Sequence, residues 1–124
     1  MKYRLVNGRT RRTVATEVEL AMTRETRRRG LLGRESLEQG AALFIKPCFA
    51  IHTAFMKFPI DVVFVDGDVK VVRVIRDLKS WRIAVTPRAR AVIELRGGTI
   101  DAAGIALGDS LYLAPAIESE AKSA

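Results

Sequence analysis

Residues 62–75 read VVFVDGDVKVVRVI, and in this stretch two β-branched runs flank Asp66, Gly67 and Asp68. β-branched side chains pack well on the pleated surface of a strand, and an Asp-Gly pair favours the tight turn between neighbouring antiparallel strands. The stretch therefore predicts a β-hairpin that turns at Asp66-Gly67.

Further strands are predicted on either side of this hairpin. Residues 14–22 alternate with a period of two, which is typical of a strand with one buried face. Short strands are also expected at residues 41–45, 89–95 and 111–113. Thr23 can cap a short helix that runs to about Arg29 and ends at Gly30, and a single helical turn over residues 99–103 ends at Gly104. These elements predict a mainly β fold on the border of α+β. Residues 1–117 are expected to form a single compact barrel-like or sandwich-like domain of short antiparallel strands with one or two short helices. Residues 118–124 are expected to form a frayed polar tail.

The composition limits the class of protein. The chain has 124 residues, of which 48% are hydrophobic and 28% charged, a balance typical of one globular domain. A single cysteine excludes an intramolecular disulfide and a zinc site made of cysteines. No apolar run approaches the roughly 18 residues of a membrane span, and the N-terminus lacks the apolar core of a secretory signal. We therefore expect a cytoplasmic protein with no membrane partner and no cofactor.

The net charge of +7 lies in the first third of the chain. Residues 1–34 contain ten Lys or Arg and three acidic residues, whereas residues 35–124 contain eleven of each. Clusters at residues 9–12 and 27–29 can attract phosphates or acidic partners, or they can simply form a solvated loop and helix face. No nucleic-acid-binding signature accompanies these arginines, so we do not expect nucleic acid to be the main partner.

The chemically active side chains are concentrated in residues 47–61. Cys48, His52 and Met56 recur every four residues, and together they would suit Cu(I) or, less well, Zn²⁺. Cys and Met are also common as buried apolar residues, and we favour that interpretation, so no metal is expected. Cys48 and His52 as nucleophile and base would need Asp61 or Glu94 to orient the imidazole, and these two carboxylates are themselves a candidate acid–base pair.

A binding groove is a further interpretation of the same residues. Polar residues interrupt strands that otherwise read as core, and their convergence would make either an ion-pair network or the polar floor of a ligand cleft. Phe55, Phe58, Lys79 and Trp81 are candidates for the walls and rim of such a cleft. The candidate ligand-binding residues are Arg34, His52, Thr53, Met56, Asp61 and Glu94, with Arg34 as the cation.

Several short motifs together resemble one family. They are residues 29–34 (RGLLGR), residues 51–53 with Met56, residues 59–66 (PIDVVFVD), residues 91–95 with Gly98-Thr99, and the pairs Gly104-Ile105 and Gly108-Asp109. From about Val18 to Leu113 the chain resembles the family called domain of unknown function 192. The resemblance implies a small, mainly β domain without a settled activity. Many members have methionine at the position of Leu32, and many lack the equivalent of Cys48.

The function expected from the sequence is that of a binding or accessory module whose groove surrounds His52, Met56, Asp61 and Glu94. A small hydrolase-like enzyme that uses the same groove is the alternative, with its catalytic residues unknown. A weak binder of acidic partners or nucleic acid through the N-terminal arginines is the third interpretation. The partner is expected to be a small molecule or a protein, and the sequence is compatible with a monomer.

Overall fold

Nine strands and two short helices make up residues 2–117, the part of the chain that the computed structural model describes. The strands are β1 (Tyr3–Asn7), β2 (Arg12–Ala21), β3 (Ala41–Ile45), β4 (Ala50–His52), β5 (Ile60–Val65), β6 (Val71–Leu78), β7 (Ile83–Val85), β8 (Ala91–Arg96) and β9 (Leu111–Pro115). The helices are α1 (Arg24–Arg29) and α2 (Thr99–Ala103). Residues 118–124, for which a frayed tail was predicted, lie outside the described residues.

Seven strands form a mixed half-barrel sheet in the order β6-β5-β8-β3-β2-β1-β9, and β4 pairs with β7 in a small second sheet. The predicted mainly β fold with two short helices is confirmed. One pair departs from the expected antiparallel arrangement, because β2 and β3 run parallel. A parallel pair needs a crossover of a dozen or more residues, which α1 and the segment after it supply.

The predicted hairpin is present as the antiparallel pair of β5 and β6, with Val63 opposite Val74. The Asp66 side chain fixes its turn by accepting hydrogen bonds from the backbone N–H groups of Asp68, at 2.9 Å, and Lys70, at 3.0 Å. The helix caps are also confirmed. The Thr23 side chain accepts a hydrogen bond from the Thr26 N–H, and the Gly30 N–H donates to the Thr26 carbonyl.

The large sheet is covered on both faces, so β5 and most of β8 are buried on both sides. One face packs with α2, through Val63, Leu95 and Ile100. The other face, called here the cavity face, includes Val62 and Val92 and packs against Leu31, Leu37, Met56 and the small sheet. Strands buried on both faces read as continuous apolar runs, which makes the polar exceptions in these two strands informative.

The sequence patterns did not predict β1 or the pair of β4 and β7. β4 and β7 have only three residues each, too few to show an alternation.

Among the described residues, no helix is long and apolar enough to cross a membrane.

Candidate functional site

A cavity of about 560 Å³ opens between α1 and the segment that leads from β3 into β4. Its walls come from three parts of the chain: α1 with the glycine and two leucines that follow it, residues 45–52, and the buried side chains of Met56 and Glu94. The lining residues are Arg24, Arg27, Arg28, Arg29, Gly30, Leu31, Leu32, Ile45, Pro47, Cys48, Ala50, Ile51, His52, Met56 and Glu94.

Glu94 is the buried polar group of this cavity. It lies in β8 on the cavity face of the sheet, opposite Val62 of β5 and Leu43 of β3. Its side chain is only 3% exposed, and Oε1 has no hydrogen-bond partner among the described residues. Burial disfavours the charged carboxylate and raises the pKa of Glu94 to about 7, an effect that the positive charge of Arg34 partly offsets.

Gly30 leaves space in front of this carboxyl group. A Cβ atom at Gly30 would lie 3.9 Å from Glu94 Oε1, and the backbone φ of +51° is one that side-chain-bearing residues rarely adopt. At Gly30 the turn that ends α1 therefore lies next to the Glu94 carboxyl group and presents no side chain to it.

The arginines of α1 give the cavity a positive wall. Arg24, Arg27, Arg28 and Arg29 all line it, and none of the four forms an ion pair with any carboxylate in residues 2–117. Arg27 donates a hydrogen bond to the Pro47 carbonyl at 3.2 Å, while its Nε is buried without a partner in the described chain. The cavity therefore combines unpaired cations with one buried carboxyl group.

The proposed soft ligands Cys48, His52 and Met56 also line the cavity. The Cys48 thiol donates to the Ala50 carbonyl at 3.1 Å, and burial raises its pKa, with a further rise from the nearby Glu94. A protonated thiol is a weak nucleophile and a weak metal ligand. Within residues 2–117, no three His, Cys, Asp or Glu side chains are grouped so that they could hold a metal ion.

Asp61 does not belong to this cavity, so the expected convergence with Glu94 is wrong. Glu94 is opposite Val62, and Asp61, one residue earlier in β5, points to the other face of the sheet. There its carboxylate accepts hydrogen bonds from the backbone N–H groups of Asp77, at 2.9 Å, Gly98, at 3.1 Å, and Ile100, at 2.8 Å. Asp61 therefore fastens the start of α2 to β6.

Arg34 and Thr53 also lie outside the cavity lining. Arg34 forms an ion pair with Glu19 of β2, so it is not the cation of a groove shared with His52 and Asp61. The Thr53 hydroxyl is fully buried, donates to the Lys79 carbonyl at 2.6 Å and accepts from the Arg82 N–H at 2.9 Å. Of the six candidate residues, the structure brings together His52, Met56 and Glu94.

The arginines of α1 were not predicted as part of this site. They read as a separate charge cluster, because only the parallel crossover from β2 to β3 places α1 against residues 45–52. The run RRRGLLGR contains a usable signal. A glycine directly after a helix-ending arginine cluster permits close approach of the backbone to another group.

The sequence pattern of the family named domain of unknown function 192, described as "Uncharacterized ACR", matches residues 6–113. This chain belongs to that family. None of the curated proteins matches it at a significant level.

Among solved structures, this domain-of-unknown-function-192 protein is similar to a candidate transcription regulator of Sinorhizobium meliloti 1021. The TM-score is 0.79, and the two chains are 22% identical over 90% of this chain and 92% of the other. It is also similar to a protein of unknown function from Novosphingobium aromaticivorans DSM 12444, with a TM-score of 0.77 and 21% identity over 90% of this chain and 84% of the other. At these identities the similarity shows the shared fold.

Proposed function

We propose that this domain-of-unknown-function-192 protein is a binding module that holds a small ligand in the cavity between α1 and β4. The ligand presents an anionic group to the arginines of α1 and a hydrogen-bond donor to Glu94. The observation that carries the proposal is the buried Oε1 of Glu94, which lies in a cavity large enough for a ligand and has no partner in the described residues.

An unpaired buried acceptor is costly for a folded protein. Leaving such a group unsatisfied destabilises the fold by about 1–3 kcal/mol, and more when the group is charged. A ligand donor that reaches Oε1 would remove this penalty, and a cationic donor would also lower the pKa of Glu94. The free energy recovered at Glu94 therefore contributes directly to ligand affinity.

The positive wall supports an anionic group on the same ligand. Guanidinium groups bind phosphates and carboxylates through two parallel hydrogen bonds, and those of α1 are free of carboxylate partners in residues 2–117. Two of the other N-terminal arginines are engaged elsewhere. Arg9 is paired with Asp109, and Arg12 donates to the Ala102 carbonyl. This division favours a local anion site at α1 over one continuous surface for nucleic acid.

A small enzyme that uses the same cavity is the second candidate function. One observation favours it: a pKa of about 7 suits Glu94 to proton transfer near neutral pH. The raised pKa of Cys48 argues against a cysteine nucleophile. A hydrolase-like reaction here would therefore use Glu94 as general base toward water, and its rate should fall as Glu94 becomes protonated below pH 7.

The binding proposal can be tested through Cys48, the only cysteine of the chain, which lines the cavity. The rate at which Cys48 reacts with a thiol reagent such as DTNB is measured with phosphoethanolamine, inorganic phosphate or ethanolamine present. We expect phosphoethanolamine to slow the reaction most, because it carries both an anion and a donor. Equal reaction rates with and without all three compounds would contradict the proposal.

Matched variants identify the contacts. Glu94→Gln should weaken protection by ethanolamine and phosphoethanolamine but leave any protection by phosphate intact. Arg28→Gln should weaken protection by phosphate and phosphoethanolamine. Arg88→Gln removes the same charge from an exposed arginine that does not line the cavity. This control should leave the protection by all three compounds unchanged.

A further inference from the structure

A patch of exposed apolar side chains covers the outward face of the small sheet. In that sheet Ala50 is opposite Val85, and His52 is opposite Ile83. Ile83 is 78% exposed and Val85 is 48% exposed. Phe55 and Trp81 are 72% and 62% exposed and contact each other, and Trp81 lies two residues before Ile83 in the chain. We call Phe55, Trp81, Ile83 and Val85 the outward patch.

The two aromatic side chains of the outward patch are held in place by a strained backbone. Their ring centroids are 4.6 Å apart at an interplanar angle of 61°, and both residues have positive φ, 63° for Phe55 and 64° for Trp81. The left-handed conformation costs about 1–2 kcal/mol for a residue with a side chain. Thr53 maintains it, because its carbonyl accepts from the N–H groups of both Met56 and Trp81. An exposed aromatic pair of this kind is typical of a binding surface.

One edge of β4 is open beside this patch. The Thr86 N–H donates to the Phe49 carbonyl at 2.8 Å, and the Thr53 N–H donates to the Arg82 carbonyl at 2.9 Å. Since hydrogen-bonded and non-hydrogen-bonded pairs alternate in an antiparallel ladder, the peptide groups of Ala50 and His52 point away from β7. No strand of residues 2–117 pairs with β4 on that side. Apart from the Ala50 carbonyl, which accepts from Cys48, these groups are available to an added strand.

The charge around the outward patch is positive. The two segments that form it, residues 46–58 and 79–90, contain no Asp or Glu. Their basic residues are Lys46, Lys57, Lys79, Arg82, Arg88 and Arg90, of which Lys57 is paired with Glu35. The α1 arginines lie across the cavity from the open edge. This field favours an acidic partner.

We propose that the outward patch and the open edge of β4 together form a docking site for an extended segment of a partner polypeptide in which acidic and apolar residues alternate. The segment adds a strand to β4. Its apolar side chains extend the outward patch, and its acidic side chains meet the basic residues around it. This interaction goes beyond the small ligand proposed for the cavity and does not depend on it. An anionic membrane would match the charge and the aromatic residues but would offer no backbone groups to the edge of β4.

Trp81 is the only tryptophan of the chain, so its fluorescence reports on docking directly. The probe is a blocked seven-residue peptide of alternating valine and glutamate. Two controls match it: the same peptide with lysine in place of glutamate, and the glutamate peptide N-methylated at alternate peptide nitrogens, which cannot complete the strand pairing. Vesicles of phosphatidylglycerol and phosphatidylcholine test the membrane.

We expect the glutamate peptide to shift the Trp81 emission and to bind at least about tenfold more tightly than either control peptide. Ile83→Ser should weaken it by about tenfold, which is the loss of one well-buried apolar contact. Leu107→Ser changes a similarly exposed aliphatic residue, 66% exposed, outside the patch and should have no effect. Because Ala50 and His52 also line the cavity, the bound peptide should slow the reaction of Cys48.

Three results would overturn the inference: equal binding of the N-methylated peptide, equal binding of the lysine peptide, or a shift of Trp81 only with vesicles. Protection of Cys48 by phosphoethanolamine in the absence of any peptide binding would reject this docking site alone. Peptide binding without any protection by phosphoethanolamine would support the docking site and count against the proposed cavity ligand.

Discussion

Replacing Glu94 with glutamine should stabilise the protein, and the gain should grow as the pH rises from about 4.5 to about 7. The pKa of Glu94 is raised from 4.5 to about 7 in the folded protein. Each unit of difference between the folded and unfolded pKa corresponds to about 1.4 kcal/mol, so the folded protein loses about 3 kcal/mol of stability as pH rises from below 4.5 to above 7. Glutamine keeps the shape of the side chain without the buried charge.

The assay is urea denaturation of the wild type and Glu94→Gln at pH 4.5, 6, 7 and 8.5. The free energies of unfolding should nearly coincide at the lowest pH, and the variant should gain up to about 3 kcal/mol at the highest. Glu38→Gln makes the same change at an exposed position and should show no such pH dependence. If Glu94→Gln is equally stable or less stable than the wild type at pH 8.5, the carboxylate has a favourable partner in the folded protein and the reasoning about an unsatisfied group is refuted.

Three further substitutions test the other assignments. Asp61→Asn should lower the free energy of unfolding by about 3 kcal/mol, because one amide oxygen cannot replace a carboxylate that accepts three backbone N–H groups. A decrease in the free energy of unfolding of less than about 1 kcal/mol in urea denaturation would contradict this. Cys48→Ala should cost only about 1 kcal/mol in the same assay, since it removes one half-buried thiol hydrogen bond, and a loss of several kcal/mol would show that the thiol is structurally essential. Phe55→Gly should change the melting temperature little, because relief of the positive φ offsets the lost contact with Trp81; marked destabilisation would mean that the aromatic pair is part of the core.

The features that could be predicted from the sequence are those fixed by neighbouring residues. Asp66-Gly67 determines the hairpin turn, and Thr23 and Gly30 bound α1, whatever the rest of the chain does. The parallel pairing of β2 with β3 depends instead on where a crossover of many residues ends, and no local pattern records that. The position of α1 over the cavity therefore could not be predicted.

The candidate site shows the same division. The period of two in a strand puts Glu94 on the side of β8 that it shares with Val92, but the sequence could not give the register between β5 and β8. Successive residues of a strand point to opposite faces, so a shift of one residue decides which β5 side chain accompanies Glu94. The observed register puts Val62 opposite Glu94 and sends Asp61 to the other face. The predicted carboxylate pair failed for this reason alone.

The contrast among the buried carboxyl groups is what separates a structural role from a binding role here. Asp61, Glu94 and Asp109 are the buried carboxyl groups among the described residues. Asp61 accepts three backbone N–H groups, and Asp109 accepts from Asn7, Arg9 and the Ala106 N–H, contacts that lower its pKa to about 2. Both are satisfied within the fold, so their burial is explained by the structure that they hold together. Among the described residues, nothing donates a hydrogen bond to Oε1 of Glu94, the pKa of Glu94 is raised whereas that of Asp109 is lowered, and Glu94 lines the cavity between α1 and β4. An apolar residue at this position is expected to fold more stably, so the buried carboxyl group of Glu94 supports the proposal of a ligand in this cavity.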